Sequence, residues 1–441
     1  MRFGIVPAES LKLRADVKYH LGDNHKFSNS TKTIGALKEL IVRDPMCYGF
    51  QYCKEGVPMV RIGDFEEPFI NFSRVANVSE ETHSKYSKTH LEPLDILMSV
   101  RGVSIGRVAV FMGETPKANI CPNVIIIRLK DKTLVPFVAS VLISDIGQNQ
   151  IRKITAGSSK PTITAPMISS IEIPFPDDKI VKEISELFKR LFKARSEKDK
   201  LRSDVEDCIK RSLNNKEMKQ KKCTYLKDLS KETRWDPHFH QECFKDISDF
   251  VQEFGGKPLG ELGQSIMDTI NQKSVEDKIR YIEISDINNI DASISKEAQI
   301  DYIKKLPKGG KIQLMDNDIL ISKVRPYRKG FSIFVEKDSV LTTASKNGFA
   351  VFRTNGYEYP YYLLAFLRSP YGLSQIVRRE SGTSYPTVDE DDIARVIIPN
   401  LEDDVKSNIN SMYYEYIASK DIEKMCFDSI NEILETLYIV Q

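Results

Sequence analysis

Two stretches of this chain, AGSSKPTI at residues 156–163 and SGTSYPTV at 381–388, set a glycine beside small hydroxyl residues as a phosphate-cradling loop does. Such a loop needs backbone N–H groups aimed at the phosphate and a lysine for charge. Neither stretch qualifies. No second glycine precedes Lys160, Tyr385 replaces it in the later copy, and Pro161 and Pro386 each remove an N–H. His238 and His240 flank Phe239 and could ligate a metal, but the earlier copy has Lys18 and His20 there, so no metal site is expected. Asp391 and Asp392 read as a solvated helix start. SPY at residues 369–371 lacks the second proline and the upstream glycine loop of an amino-methyltransferase. No catalytic site supported by both copies can be assembled.

The chemistry that remains is recognition. A common DIL-S stretch is followed by VRGVSIGR in one place and by KVRPYRKG in another. Arg101 and Arg107 therefore stand opposite Lys323, Arg325, Tyr327 and Arg328. Arginine and lysine on a loop after a strand suit phosphate oxygens and guanine edges, where a planar fork meets two acceptors. Lys160 and Tyr385 vary inside otherwise matching turns and join the same candidate set.

These residues sit on a frame that is written twice, at an offset of 220 to 225 residues. Arg14 and Asp16 align with Arg234 and Asp236, and KEL at 38–40 with GEL at 260–262. Asp64 aligns with Asp286, and Asp95, Ile96, Leu97 and Ser99 with Asp318, Ile319, Leu320 and Ser322. Gly157, Ser159, Pro161 and Thr162 align with Gly382, Ser384, Pro386 and Thr387, and IEIP with VIIP. The common order along the whole chain identifies an internal duplication. Within each half, VIIIRL, GRVAVF, GFSIFV and GFAVF read as strands. PFVASVLISDIGQNQI and YPYYLLAFLRSPYGLSQIV read as one helix each. Each half is expected to be α+β with a small twisted sheet.

A long helical segment closes each half. Ile180, Ile184, Leu187, Leu191, Ala194, Leu201, Val205 and Cys208 alternate steps of four and three, broken only by Lys198. This is a coiled-coil seam. Val405, Ile409, Met412, Tyr416, Ile422, Cys426, Ile430, Ile433 and Leu437 trace a second, less regular one. Residues 178–222 hold 15 Lys and Arg against 9 Asp and Glu, whereas residues 402–441 hold 3 against 9. Opposite charge makes the helices each other's partners, and the intervening half must fold back, so the pairing is expected to be antiparallel. The expected boundaries are 1–177 and 223–400 for the globular halves, and 178–222 and 401–441 for the helices.

At 441 residues, with 41% hydrophobic and 29% charged, the chain suits two globular domains. It has no apolar run long enough to span a membrane and no evident signal peptide, so a cytoplasmic location is expected. Seven cysteines without a CxxC pair argue against a disulfide framework or a zinc ribbon, and read as mostly buried thiols. The net charge of +2 decides nothing about partners.

On LDILMSVRGVSIGRVAV and NDILISKVRP, the GSSKPTI and GTSYPTV turns with IEIP and VIIP after them, and the long helix closing each half, the chain resembles the specificity subunits of type I restriction-modification systems. It departs from the family's usual Glu-Gln pair at the helix starts, having PDDKI and LEDDV. The resemblance implies two tandem target-recognition domains spaced by an antiparallel coiled coil and reading a bipartite double-stranded DNA target. It implies modification (methyltransferase) subunits and a restriction/translocase subunit as partners, docked on the helices. S-adenosylmethionine, ATP and Mg would be theirs; this chain would hold no cofactor and catalyse nothing. The recognition role falls on Ser99, Arg101, Arg107 and Lys160 in the first half, and on Lys323, Arg325, Tyr327, Arg328 and Tyr385 in the second. Two other classes compete: a coiled-coil scaffold that binds proteins, and a self-contained DNA-modifying enzyme.

Overall fold

The computed structural model describes residues 26–27, 30–44, 51–102, 104–155, 162–215, 239, 242–271, 277–295, 298–354, 356–382 and 384–439. Two compact units divide the chain, Met1–Lys193 with Ile422–Gln441, and Ala194–Asp421. The repeat members Arg14, Asp16, Lys18, His20, Arg234, Asp236, His238, His240, Gly157, Ser159 and Pro161 lie outside the described residues, as does the candidate Lys160.

In the first unit a four-stranded antiparallel sheet runs in the order Val108–Phe111, Asp95–Ser99, Val124–Leu129, Lys38–Val42. The second unit repeats it as Phe331–Ile333, Ile319–Ser322, Phe349–Arg353, Gln264–Ser265. The registers also match, with Val124 opposite Ser99 and Phe349 opposite Ser322. Both faces of this sheet are covered, which is why its strands are continuous apolar runs without alternation. Ile96, Met98, Val108, Val110, Ile125 and Ile127 pack toward the helices, while Leu97, Ala109, Phe111, Val124 and Ile126 pack into a separate core. In the second unit Ile319, Ile321 and Phe331 take the helix side, and Leu320, Phe349 and Val351 the other. The central sheet is thus the middle of three layers in each half.

The outer layer is a second four-stranded sheet. Val57–Val60 lies between a parallel strand, Asn119–Ile120, and an antiparallel one, Ala76–Val78; Lys278–Ile282 lies likewise between Thr342–Ser345 and Gln299–Tyr302. The fourth strand differs between the copies. Tyr52–Cys53 joins the Ala76–Val78 edge, whereas Lys311–Gln313 joins the Thr342–Ser345 edge. Each half therefore carries two four-stranded sheets among the described residues where the sequence suggests one sheet.

The helical layer corrects the sequence reading in one respect. Each segment read as a single helix is two, Val135–Ile143 and Asp145–Thr155, then Pro360–Arg368 and Pro370–Val377. Ser144 and Ser369 break them with extended backbone at ψ 164° and 163°. The turn is so tight that a β-carbon on Gly147 or Gly372 would meet a backbone oxygen at 2.3 Å. A side-chain clamp closes the layer in both copies. The Gln150 amide donates to Glu172 O at 2.9 Å and accepts from its N–H at 2.8 Å; Gln375 does the same to Ile397 at 2.9 and 2.9 Å.

The closing helices span Asp178–Ser212 and Asp403–Glu435. In the first unit Ile184, Phe188 and Leu191 share a core with Cys426, Ile430 and Leu434; in the second Val205, Ile209 and Leu213 share one with Ile409, Tyr413 and Tyr416. The start of each helix packs with the end of the other, so the coiled coil is antiparallel. The first helix stops short of Lys222, because Asn214 and Asn215 take left-handed backbone at φ 51° and 53° and end it. Ile422, placed in the seam by its apolarity, is 39% exposed. From Tyr416 the seam steps through Ser419 and Glu423 to Cys426, all buried, and Ile422 falls off that line. Lys198, the break in the first seam, is buried with its ammonium 3.4 Å from Asp291, which Lys420 also approaches at 3.6 Å. Burial is the largest single effect on the Asp291 carboxyl and acts to raise its pKa, but Lys198, Lys420 and the Ser293 hydrogen bonds together hold it below the usual range. Of the described thiols, Cys121 and Cys426 are buried, Cys208 is half-buried and Cys53 is exposed; Cys47 and Cys223 lie outside the described residues, as does the Cys243 side chain.

Candidate nucleic-acid interface

The duplicated aspartates anchor each basic loop. Asp95 and Asp318 are fully buried, and each receives a two-pronged arginine from the neighbouring strand. Arg128 donates to Asp95 at 2.7 and 2.7 Å, and Arg353 to Asp318 at 2.9 and 2.7 Å. These hydrogen bonds raise both guanidinium pKa values. The same carboxylates accept the N–H of Glu92 and of Met315, both at 2.8 Å. The strand that leads into the loop is thereby pinned at its start.

At the strand's end a serine turns the chain. The Ser322 hydroxyl donates to Val324 O at 2.8 Å; the Ser99 hydroxyl donates to Ser104 O and accepts the Arg107 N–H at 2.9 Å. The glycine-proline turn then returns to this loop. Val388 N–H donates to Lys323 O at 2.9 Å, Ile163 N–H to Val100 O at 3.1 Å, and the bridges Val324–Thr387 and Arg101–Thr162 complete the pairing. Thr162 with Ile163, and Thr387 with Val388, are therefore the lateral supports of the basic loops.

The predicted site residues divide between support and surface. Ser99 is fully buried and serves the loop from inside. Arg107 spends its fork on Glu67 at 3.1 Å, Phe65 O at 2.7 Å and Ile62 O at 3.4 Å. Lys323 pairs with Glu390 at 2.6 Å, with side chains only 16% and 17% exposed. The polar atoms of these three are thus hydrogen-bonded or ion-paired within the fold. Arg101 and Arg328 are exposed, and Tyr327 and Tyr385 are 46% and 68% exposed.

Four of the second half's candidates gather around one open cleft of about 360 Å³ or at its edge. Arg325, Arg328 and Tyr385 line it together with Asn289, Ser285, Ile284 and Ile287, and Tyr327 sits between the two arginines in sequence. The Arg325 guanidinium lies over the Tyr385 ring at 4.7 Å, and that of Arg328 over Tyr327 at 5.9 Å. Arg325 and Lys329 both adopt left-handed backbone, at φ 49° and 60°, on either side of the short turn Pro326–Arg328. Arg325 N–H donates to Pro386 O at 2.8 Å, which fixes this costly conformation. Burial, with Arg368 adding to it, holds the Lys329 ammonium pKa below its usual value.

Asn289 and Ser285 are the residues that sequence reasoning missed. They flank the shared Asp286, Ser285 just before it and Asn289 three residues after, and its carboxylate accepts the Glu283 N–H at 2.8 Å, as that of Asp64 accepts the Arg61 N–H at 2.8 Å. The signal was the unlike sequence on either side of a shared aspartate. A stacked arginine fork beside an exposed amide can bind the acceptor pair of guanine and the donor-acceptor pair of adenine.

Residues 40–206 match the family model described as "Type I restriction modification DNA specificity domain". No curated protein sequence matches the chain. Among solved structures it is similar to the type I restriction-modification system S subunit from M. genitalium, at 16% identity and TM-score 0.43, covering 94% of this chain and 96% of that one. It is similar also to the HsdS subunit from Thermoanaerobacter tengcongensis, at 15% identity and TM-score 0.30, covering 92% and 96%. A third similarity is to a chain from a structure of type I R-M complex assembly and conformational transition, at 14% identity and TM-score 0.33, covering 94% and 99%. The family match spans the central sheet of the first half, its Asp95 anchor and basic loop, and nearly all of the first long helix. Residues 40–206, less than half of the chain, are thus similar to the type I restriction-modification DNA specificity domain.

Proposed function

We propose that the chain reads a bipartite DNA target, one half-site per globular half, as the specificity subunit of a type I restriction-modification complex. One observation carries this reading. The anchoring aspartate, the turning serine and the supporting threonine are the same in both halves, while the residues displayed on that frame, Arg101 against Arg325, Tyr327, Arg328 and Tyr385, are unlike. A common frame with different decoration suits two different short sequences. Affinity comes from phosphate contacts and specificity from a few base edges.

Methyltransferase and restriction/translocase subunits dock on the helix pair and supply S-adenosylmethionine, ATP and Mg; the chain itself is non-catalytic and works in the cytoplasm. Among the described residues no helix is long and apolar enough to cross a membrane. Two assays test the assignment. The full chain with its modification subunit should enrich gapped sequences from a random duplex pool. The chain alone should incorporate no methyl label from S-adenosylmethionine; incorporation by the chain alone would make it an enzyme instead.

A further inference from the structure

The last residue before the break between the paired short helices is Arg368 in the second half and Ile143 in the first, at the offset of 225 that also relates Gln375 to Gln150. Arg368 is 7% exposed and reaches four backbone carbonyls. One terminal nitrogen donates to Lys329 O and Phe331 O, at 2.5 and 2.9 Å, and the other to Asn289 O and Ile290 O, at 2.7 and 3.0 Å. Those carbonyls belong to the two loops that bring Arg328 and Asn289 to the cleft. A single buried guanidinium therefore staples both walls together.

The same loop is tied to the helix pair. Tyr416 donates its hydroxyl to Ile290 O at 3.2 Å, and Asp291 takes Lys198 and Lys420. Burial raises the Tyr413 phenol pKa while Arg368 beside it acts in the opposite sense. The corresponding place in the first half is apolar. Ile143 borders a small void with Phe188, Leu191 and Ile430, and Phe69 packs edge-on against Phe188 and Phe192 at 5.1 and 5.0 Å.

We infer that Arg368 is the positioning residue of the second reading cleft: it fixes the spacing of the Asn289 and Arg328 loops, so discrimination at the second half-site depends on it and discrimination at the first does not. This rests on the reading of each half as a DNA-recognition domain. Arg368 touches no base itself. Five N–H groups in a rigid plane can span four carbonyls on two loops, and neither lysine nor an apolar residue can.

The test uses the full chain in complex with its modification subunit. Sequences are selected from a random duplex pool, and single-base variants of each half-site then compete for wild type, R368M and R368K. The second half-site is identified as the one that R325A relaxes. R368M should lose about tenfold discrimination there and none at the other half-site, whose unchanged reading serves as the folding control; R368K should lose less. Should R368M fail to fold, R368K is scored in the same way. Unchanged discrimination at both half-sites overturns the inference while leaving DNA reading intact, and equal loss at both reduces Arg368 to a general structural role and overturns it too. A wild-type complex that enriches no gapped sequence removes the DNA reading itself, and the inference with it.

Discussion

Arg325 holds a left-handed backbone that costs a residue with a β-carbon about 1–2 kcal/mol, and its fork lies on a tyrosine that is 68% exposed. Such an arrangement stiffens the side chain before any ligand arrives. Replacing Arg325 by alanine should weaken discrimination at the second half-site by about 1–3 kcal/mol, read in duplex competition, with the first half-site unaffected. Tyr385→Ala should act in the same direction and less strongly, because the fork survives without its stack. Asp318→Ala belongs to stability. It strands the Arg353 guanidinium beside a fully buried site and should lower the urea-unfolding free energy by about 3–5 kcal/mol. At this scale the sequence was only partly legible. Residue type marked Arg101, Arg325, Arg328 and Tyr385 as able to recognise DNA, but it marked Ser99, Arg107 and Lys323 equally. What separates them is the partner each finds, Ser104, Glu67 or Glu390, and partners 40 and 67 residues away leave no local pattern.

The long helices were legible because a seam of period 3.5 persists over many turns and opposite charges name the partner. Their deviations were not. Lys198 is visible as a break, yet the Asp291 that neutralises it lies 93 residues away. Asp291→Ala would remove a buried carboxylate that pairs with Lys198 and Lys420, and should cost about 3 kcal/mol in urea unfolding, a loss that Lys198→Met in the same molecule should partly restore. The break at Ser369 had a local signal that sequence reasoning missed, since Pro370 after it disfavours helical backbone at Ser369; no proline follows Ser144. The clearance at Gly147 and Gly372 requires a turn in both copies. The outer sheets were missed for a different reason: several of their strands are two to four residues long, too short for an alternation to register.

For the whole molecule, the duplication is the strongest message of the sequence, and the structure extends it to features no alignment weighs. The buried Asp-Arg pairs, the glutamine clamps and the bridges to the supporting threonines recur in both units. Departures from the repeat concentrate at the loops, the fourth outer strand and the seat beside the helices, where Arg368 replaces Ile143. Conserving the frame while varying those places is what reading two unlike half-sites requires. The central claim is tested most directly by mapping DNA methylation in cells that co-express this chain with its modification subunit. The account predicts one motif of two short specified segments separated by unspecified bases, with Arg325→Ala degrading one segment only. A single unbroken motif, or none, would contradict it.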